Sequence, residues 1–346
     1  MQSQQSDAKM KGAGADPKVS IVLPAYNSAD DLVETLGELE RQSYREREII
    51  VVDDGSTDKT AEVAAAFATG RTDISVLRTD HLGASHARNS GFRAAKGDIV
   101  FFSETDCVYD PGYVERAVAA LASHPNAGAV CLTGAPLITR STLGTQCIDI
   151  ENKVQHALLA QGKIKPFYAW VYRREVLQEL GGFDERLFQG EDRDLFRRLQ
   201  KAGYEVAWVP GVNWRHKRDQ TLSYLAKRWF TRGRSRLLYA LKHRLWLDMA
   251  KTMAPFWLFV IGVLVASAGV LLYGGFIVLL VPALMTAYSL KNVRISWPYV
   301  TKKRVYLGYP LFVVVRNFSM ALGYSYGFGA ILIRKLQGKP ISWQNV

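Results

Sequence analysis

The sequence predicts an α/β protein, with a mostly parallel sheet flanked by helices, followed by an α-helical region that lies on and in a membrane. Up to about residue 210, short β-branched apolar runs alternate with amphipathic helical patterns, as in βαβ units. The stretch 213–251 contains eleven Lys and Arg and two Asp, which gives it a net charge of +9. The stretch 253–290 is almost wholly apolar. These observations divide the chain into a globular part and a membrane-associated part.

In the globular part, 17–212, the residue pattern alternates between predicted strands and predicted helices. The residues before it, 1–16, are rich in Gln, Ser, Ala, Gly and Lys, and we expect them to be disordered. Apolar β-branched runs predict strands at 19–23, 48–52, 74–78, 98–103, 127–133, 167–172 and 205–209. Amphipathic spacing predicts helices at 29–42, 57–68, 84–95, 111–122, 173–180 and 191–202.

The basic region 213–251 predicts a long amphipathic helix at 222–247. Leu225, Trp229 and Leu237 share one face of it, with Arg and Lys around them, which suits a helix in the membrane interface. A surface helix packed on protein is the alternative. Basic residues beside a membrane segment favour anionic head groups, whereas a basic run can also bind nucleic acid. The adjacent apolar block favours membrane lipid as the partner, and we expect no nucleic acid.

The region 252–346 is predicted to be transmembrane. Spans are expected at about 253–273 and 274–290, and a third apolar stretch, 306–333, either crosses or re-enters. The loop 291–304 carries five Lys and Arg, so the positive-inside rule places it in the cytoplasm. We therefore expect a multi-pass protein of the cell membrane with a cytoplasmic catalytic domain. Arg316 interrupts the third stretch and is expected to face an anionic lipid phosphate; an interhelical or snorkelling Arg is the alternative.

Acidic residues follow two predicted strands and open one predicted helix. The run DDGSTD occupies 53–58, the triplet Glu104-Thr105-Asp106 follows the strand at 98–103, and Glu191-Asp192 begins a helix. Open α/β sheets bind ligands at the carboxyl ends of their strands. The pattern predicts a site for a cation and a phosphate-bearing ligand, with one carboxylate left for base chemistry. Solvated turn acids are the alternative for any one cluster.

Each cluster suggests its own chemistry. Carboxylates in 53–58 could accept hydrogen bonds from a nucleobase or ribose, and Arg88 could meet a base or phosphate. Glu104 and Asp106 offer two hard oxygen ligands, which suit Mg²⁺ or Mn²⁺ shared with a diphosphate. Tyr26 and Asn27 are available where the first strand ends.

In this order and spacing, the motifs resemble family 2 glycosyltransferases of the GT-A fold. The resemblance covers roughly 19–211 and rests on 19–27, 53–58, 87–91, 104–106 and 181–195. It implies a nucleotide-sugar donor, UDP- or GDP-linked, a divalent cation and inversion at the anomeric carbon. Asp106 would be the principal metal ligand, with Glu104 in place of the first Asp of the family's DxD motif, and Asp192 would be the catalytic base. The implied nucleotide-sugar site comprises Pro24, Ala25, Tyr26, Asn27, Asp53, Asp54, Arg88, Glu104, Thr105 and Asp106.

Two further segments, 225–229 and the region of His216, are candidates for contacts with the acceptor and with the metal. The run LAKRW at 225–229 resembles the QxxRW acceptor motif of processive synthases, with Leu where Gln belongs. Arg228 and Trp229, together with Glu191, are accordingly predicted to contact the acceptor or its lipid phosphate. His216 could reach the metal or the diphosphate, and a purely structural histidine is the alternative.

The resemblance and the membrane region together predict a membrane-anchored inverting glycosyltransferase. It would transfer a single sugar from a nucleotide-diphosphate sugar to a lipid-linked saccharide or polyprenyl phosphate, in cell-envelope polysaccharide, glycolipid or glycan assembly. A processive polysaccharide synthase is one alternative. A membrane protein that binds nucleotide sugar without turnover is another.

Overall fold

The computed structural model describes residues 16–133, 142–164, 168–187, 189–212, 214–216, 221–245, 257, 293–300 and 303–339. The tail 1–15 lies outside these ranges. The spans predicted at 253–273 and 274–290 also lie outside them, apart from residue 257.

A seven-stranded sheet forms the centre of the α/β domain. Its strands are β1 (Val19–Ala25), β2 (Arg47–Asp53), β3 (Ile74–Arg78), β4 (Ile99–Phe102), β6 (Ala127–Thr133), β7 (Val171–Arg173) and β8 (Glu205–Pro210). The order is β3-β2-β1-β4-β7-β6-β8. Only β7 runs antiparallel to its neighbours in this sheet, so the mostly parallel sheet is confirmed. A second, antiparallel pair, β5 (Cys107–Tyr109) with β9 (Trp214–His216), was not predicted, because three-residue strands show no period.

Six helices of this domain begin and end within three residues of the predicted bounds. They are α1 (Ala29–Glu40), α2 (Thr60–Ala68), α3 (Ala84–Ala94), α4 (Tyr113–Ser123), α6 (Arg174–Leu180) and α7 (Glu191–Lys201). A further helix, α5 (Leu143–Ala160), was missed. Its buried positions Cys147, Ile150 and Val154 follow helical spacing, but polar residues between them dilute the pattern.

Alternate residues of the central strands pack into two apolar layers. Ile21 and Leu23 of β1 face the layer that includes α1, α2 and α4, while Val22 faces the layer that includes α3, α6 and α7. Both faces of the sheet are therefore covered, as the continuous apolar runs in the strands require. Ligand access to this domain remains at the ends of the strands.

Two long helices, α8 (Leu222–Lys242) and α9 (Lys303–Leu336), pack against each other beside this domain. Leu225, Trp229 and Leu237 of α8 are buried, and the Trp229 ring lies 4.9 Å from that of Phe312 in α9. We expected this apolar face of the basic helix to lie in the membrane interface. It packs on protein instead, because α9 offers it a complementary apolar surface.

Glycines allow the backbones of α8 and α9 to meet. A Cβ atom on Gly323 would lie 1.9 Å from the Phe230 carbonyl oxygen, and one on Gly233 would lie 2.0 Å from that of Met320. Only hydrogen fits at these two positions, so the crossing point of the helices is fixed by sequence.

An ionic cluster attaches α8 to α7. The Lys242 ammonium lies 2.6 Å from a carboxylate oxygen of Asp184 and 2.6 Å from one of Asp194. Asp194 is fully buried and also contacts His243 and Arg198, each at 2.8 Å. The helical region is thus held to the same helix that begins with Glu191 and Asp192.

The third predicted span, 306–333, lies within α9. Within the described ranges, no helix combines the length and the apolar character that a membrane crossing requires.

We expect Gly323→Ala to destabilise the fold, because the methyl group must push α8 and α9 apart. Overpacking of this kind costs about 1–3 kcal/mol. Gly329→Ala is the matched control, since its Cβ would meet open space and alanine favours helix by up to about 1 kcal/mol. Thermal unfolding of the full chain in detergent measures both. Equal midpoints for the two variants would contradict the close crossing.

Candidate active site

Three parallel strands end at the same edge of the sheet. In the register of β1, Ala25 pairs with Asp53 of β2, and Val22 pairs with Phe102 of β4. The segments 26–27, 53–58 and 103–106 therefore meet, as the sequence predicted.

Tyr26 and His81 form an aromatic platform at this edge. The Tyr26 ring is 43% exposed and stacks on His81, with 3.9 Å between ring centroids. His81 is fixed by an Nδ1 contact of 3.1 Å to the Asp54 carbonyl oxygen. Asn27 has a positive φ, and its side-chain oxygen accepts a hydrogen bond from the Thr57 amide. The platform suits a stacked base; the sequence analysis missed His81, which shows no local motif.

Asp54 holds a loop. Both of its carboxylate oxygens accept hydrogen bonds from the segment 79–83, from the Thr79 hydroxyl at 2.7 Å and from the Leu82 and Gly83 amides at 3.0 and 2.9 Å. The structure therefore places Asp54 in a positioning role for the platform, and its predicted contact with nucleotide stays a prediction.

Asp53 differs from Asp54 in how its two carboxylate oxygens are hydrogen-bonded. It is fully buried, and one oxygen accepts a hydrogen bond from the Ser56 amide. Its other oxygen, Oδ2, makes no hydrogen bond within the described residues and lies 3.5 Å from Arg78 Nε. A buried oxygen of this kind is a candidate acceptor for a donor group that the ligand brings. Pro24 and Ala25 lie inside β1 and contribute backbone to this edge.

Glu104, Asp106 and Cys107 form the candidate metal site. One ligand atom from each residue lies within 4.8 Å of the others. Burial, and then the charges of Glu104 and Asp106, raise the pKa of the Cys107 thiol well above its ordinary value. Two partly exposed carboxylates remain as ligands, and they fit a hard divalent cation such as Mg²⁺ or Mn²⁺.

Thr105 and His216 lie beside this pair of carboxylates. The Thr105 carbonyl oxygen accepts a hydrogen bond of 2.6 Å from Thr35 in α1, which fixes the triplet's backbone. His216 of β9 pairs in register with Cys107 of β5, so its backbone adjoins the candidate metal site. Its role as a ligand stays a prediction.

Arg88 joins two acids that lie far apart in the chain. Its buried guanidinium is 2.8 Å from Glu191 Oε1 and 3.8 Å from Glu104 Oε1. It also lies over the Trp170 and Phe183 rings, at 5.4 and 5.5 Å. Burial raises the pKa of Glu191 to about 7, and the positive charge of Arg88 opposes that shift. Arg88 was predicted to hold nucleotide; its observed partners are carboxylates, so the nucleotide contact stays a prediction.

Asp192 lies in the first turn of α7. Gly190, in the left-handed conformation, precedes this helix, whose N-terminal dipole favours an ionised carboxylate. The side chain is partly exposed, and one oxygen accepts a hydrogen bond from the Arg193 amide. Asp192 directly follows Glu191, which Arg88 pairs at 2.8 Å, so the predicted base lies in the helical turn that Arg88 attaches to the strand ends.

The residues predicted for the acceptor have different surroundings. Arg228 is partly exposed, whereas Trp229 is buried against α9 and does not face a ligand. Arg316 forms an ion pair with Glu151 of α5. This is the interhelical arrangement that the sequence left open, and it differs from the expected contact with a lipid phosphate. Arg232 of α8, which the sequence analysis did not single out, interacts electrostatically with Asp192 and Glu191.

The domain has a GT-A-like fold, and one edge of its mostly parallel sheet carries an aromatic pair, a cluster of carboxylates and the start of α7. Residues 20–181 match the family model described as "Glycosyl transferase family 2". The match ends before Glu191 and Asp192, whereas the motif resemblance extended to about 211.

Two relatives named as glycosyltransferases align with just over half of this chain. The chain is 28% identical over 203 residues to Glycosyltransferase AglE of Haloferax volcanii, covering 57% of this chain and 66% of the relative. It is 30% identical over 212 residues to the Probable glycosyltransferase YdaM of Bacillus subtilis, covering 57% of this chain and 50% of the relative. The alignments therefore span between half and two thirds of these relatives.

One solved structure is similar over most of the chain. It is the mannosyltransferase PcManGT from Pyrobaculum calidifontis in complex with GDP-Man and Mn²⁺, with a TM-score of 0.61 and 18% identity. The superposition covers 90% of this chain and 88% of that one. At this identity the likeness concerns the fold.

We expect Arg88→Gln to cost about 3–5 kcal/mol of stability, because it leaves Glu191 buried without its cation. The loss should grow as the pH rises above about 7, because Glu191 ionises in the folded wild type near that pKa and the variant raises the folded-state pKa further. Denaturant unfolding across pH measures the stability of each variant. The double variant Arg88→Gln with Glu191→Gln should lose less stability than the sum of the two single variants.

Arg93→Gln is the matched control, because Arg93 is exposed and lies 3.8 Å from Glu185. Its stability is expected to be within about 1 kcal/mol of wild type. Additive effects at Arg88 and Glu191 would show that the pair is not coupled.

We expect Asp106→Asn to weaken Mn²⁺ binding by at least about tenfold, because a charged ligand is lost. Cys107→Ala should change the affinity little, because hard divalent cations prefer oxygen ligands to sulfur. Titration calorimetry with Mn²⁺ and either UDP or GDP measures both variants. An equal loss of affinity in both would make the cysteine a ligand and contradict the carboxylate assignment.

Proposed function

We propose that this protein is a membrane-anchored inverting glycosyltransferase. It transfers a single sugar from a UDP- or GDP-linked donor to a lipid-linked saccharide or a polyprenyl phosphate, in cell-envelope polysaccharide, glycolipid or glycan assembly. The observation that carries the proposal is the placement of Glu104 and Asp106 at the end of β4, joined through Arg88 to the helix that begins with Glu191 and Asp192.

The residues of the site divide the reaction among them. Glu104 and Asp106 would hold Mg²⁺ or Mn²⁺, which neutralises charge on the departing nucleoside diphosphate. Tyr26 stacks the base, supported by His81. Asp192 takes the proton of the acceptor hydroxyl, whose oxygen forms the new bond as the bond to the diphosphate breaks. Attack from the side opposite the leaving group inverts the anomeric carbon.

The charge of α8 supports an anionic acceptor. Arg228 and Arg232 lie one helical turn apart, and Arg232 interacts with Asp192 and Glu191. A lipid phosphate bound there would bring its sugar or its own oxygen towards Asp192. Lys242 holds α8 on α7 through Asp184 and Asp194, so the basic helix keeps its position relative to the base.

The membrane location is supported by the charge pattern of the chain. The +9 region 213–251 precedes the apolar block 253–290, and the basic loop 291–304 favours the cytoplasmic side. We propose a protein of the cell membrane with its catalytic domain in the cytoplasm.

Two other functions make different predictions. A processive polysaccharide synthase would add many sugars; Leu225 in place of Gln in its acceptor motif argues against it. A membrane protein that binds nucleotide sugar without turnover would need the metal ligand Asp106 but no base, so the partly exposed Asp192 at the start of α7 favours an enzyme.

Incubation with UDP- and GDP-sugars, Mn²⁺ and a lipid extract should release nucleoside diphosphate and yield a lipid product that carries one added sugar. Asp192→Asn should lower the rate roughly 10²- to 10⁴-fold with a hydroxyl acceptor, because general-base catalysis is lost. Glu205→Gln, at an exposed position of β8, is the control and should leave the rate unchanged.

The products decide between the alternatives. Repeated addition of sugar would indicate a processive synthase, and donor binding without release of diphosphate would indicate a binding protein. A polyprenyl phosphate is already ionised, so transfer to it by Asp192→Asn at nearly the wild-type rate would identify that acceptor. The same result with a hydroxyl acceptor would overturn the role of Asp192 as base.

A further inference from the structure

Helix α9 presents an apolar stripe to its surroundings. Six residues spaced three, four or seven apart along it are between 36% and 81% exposed: Leu311, Phe318, Leu322, Tyr326, Ile333 and Leu336. At 1.5 Å per residue this stripe is roughly 40 Å long. A large exposed apolar patch marks a surface that contacts another protein or a membrane.

The opposite face of α9 is already occupied. Phe312, Val313 and Tyr324 are fully buried, and the close glycine contacts hold this face on α8. Arg316, which interrupts the apolar residues near the middle of the helix, is paired with Glu151 of α5. The stripe is thus a second apolar face, free of that charge.

The charges around the stripe are of one sign. From residue 249 to residue 346 the sequence contains ten Lys and Arg and no Asp or Glu. Arg334, Lys335 and Lys339 lie at the C-terminal end of α9, and Lys303 and Arg304 lie at its start. An apolar face with cations at both ends complements an anionic lipid surface, where acyl chains meet phosphate head groups.

We propose that α9 lies in the plane of a membrane, with the stripe inserted at the level of the head groups of an anionic bilayer. The helix does not cross, so the basic positions at both of its ends lie on the same side of the membrane, and the paired Arg316 stays on the protein side. This placement goes beyond the proposed function, because it assigns the lipid-facing surface of the described region and orients α8, with Arg228 and Arg232, over the same leaflet.

Depth measurements along α9 test the placement. Single cysteines at Phe318, Leu322, Tyr326 and Ile333 are labelled with an environment-sensitive fluorophore in the full chain. The native Cys107, Cys131 and Cys147 are buried in the folded protein, so the label goes to the introduced thiol. The protein is reconstituted into vesicles with phosphatidylglycerol, and quenching is compared between lipids brominated near the head group and near the chain end.

All four labels should be quenched to a similar extent, and more strongly by bromine near the head group. Val33→Cys on α1, 54% exposed in the α/β domain, is the control and should not be quenched. Arg334→Gln with Lys335→Gln should reduce quenching at Ile333→Cys in phosphatidylglycerol vesicles but not in vesicles of phosphatidylcholine alone.

Two outcomes would overturn the placement. Quenching that is deepest at the middle positions would show that α9 crosses the bilayer. Absence of quenching at all four positions would show that protein covers the stripe, either the apolar segment 258–292 or a second copy of the chain. Because no sugar transfer is measured, either failure leaves the proposed reaction standing.

Discussion

The site depends on one buried guanidinium. Carboxylates from two distant segments, Glu104 after β4 and Glu191 at the start of α7, lie at one edge of the sheet, where like charges repel and burial disfavours ionisation. Arg88 contacts both and is itself held over two aromatic rings. It therefore fixes α7 against the strand ends, and with α7 it fixes the position of Asp192. The attachment of α8 through Lys242 extends this order to the helical region.

This arrangement also explains how a site rich in acids keeps part of its charge available. Asp54 accepts three hydrogen bonds from the 79–83 loop, and Glu191 forms an ion pair with Arg88. Glu104, Asp106 and Asp192 remain partly exposed to solvent. The first group builds the platform and the frame, and the second contains the residues proposed to meet a cation and an acceptor proton. Asp54 and Glu191 are thus the structural acids, and Glu104, Asp106 and Asp192 are the candidate reactive ones.

Much of this could be predicted from local pattern. Strand and helix periods gave the parallel sheet, and acids directly after strands had to meet at one edge, because parallel strands share their direction. The pairing of Arg88 with Glu191, 103 positions apart, could not be predicted, since it depends on how α3 and α7 pack. Trp229 shows the same limit: its motif suggested an acceptor contact, but its surroundings are set by α9, far along the chain. Helix α5 was missed because polar residues dilute its apolar spacing.

The central claim is that Glu104 and Asp106 hold the cation that binds the donor's diphosphate. Anomalous diffraction at the manganese edge, from crystals grown with Mn²⁺ and a nucleoside diphosphate, tests it most directly. We expect a single strong peak in contact with a carboxylate oxygen of Asp106 and adjacent to Glu104, with the base beside Tyr26. A peak at Asp53, or a bound diphosphate with no metal peak near Asp106, would contradict it.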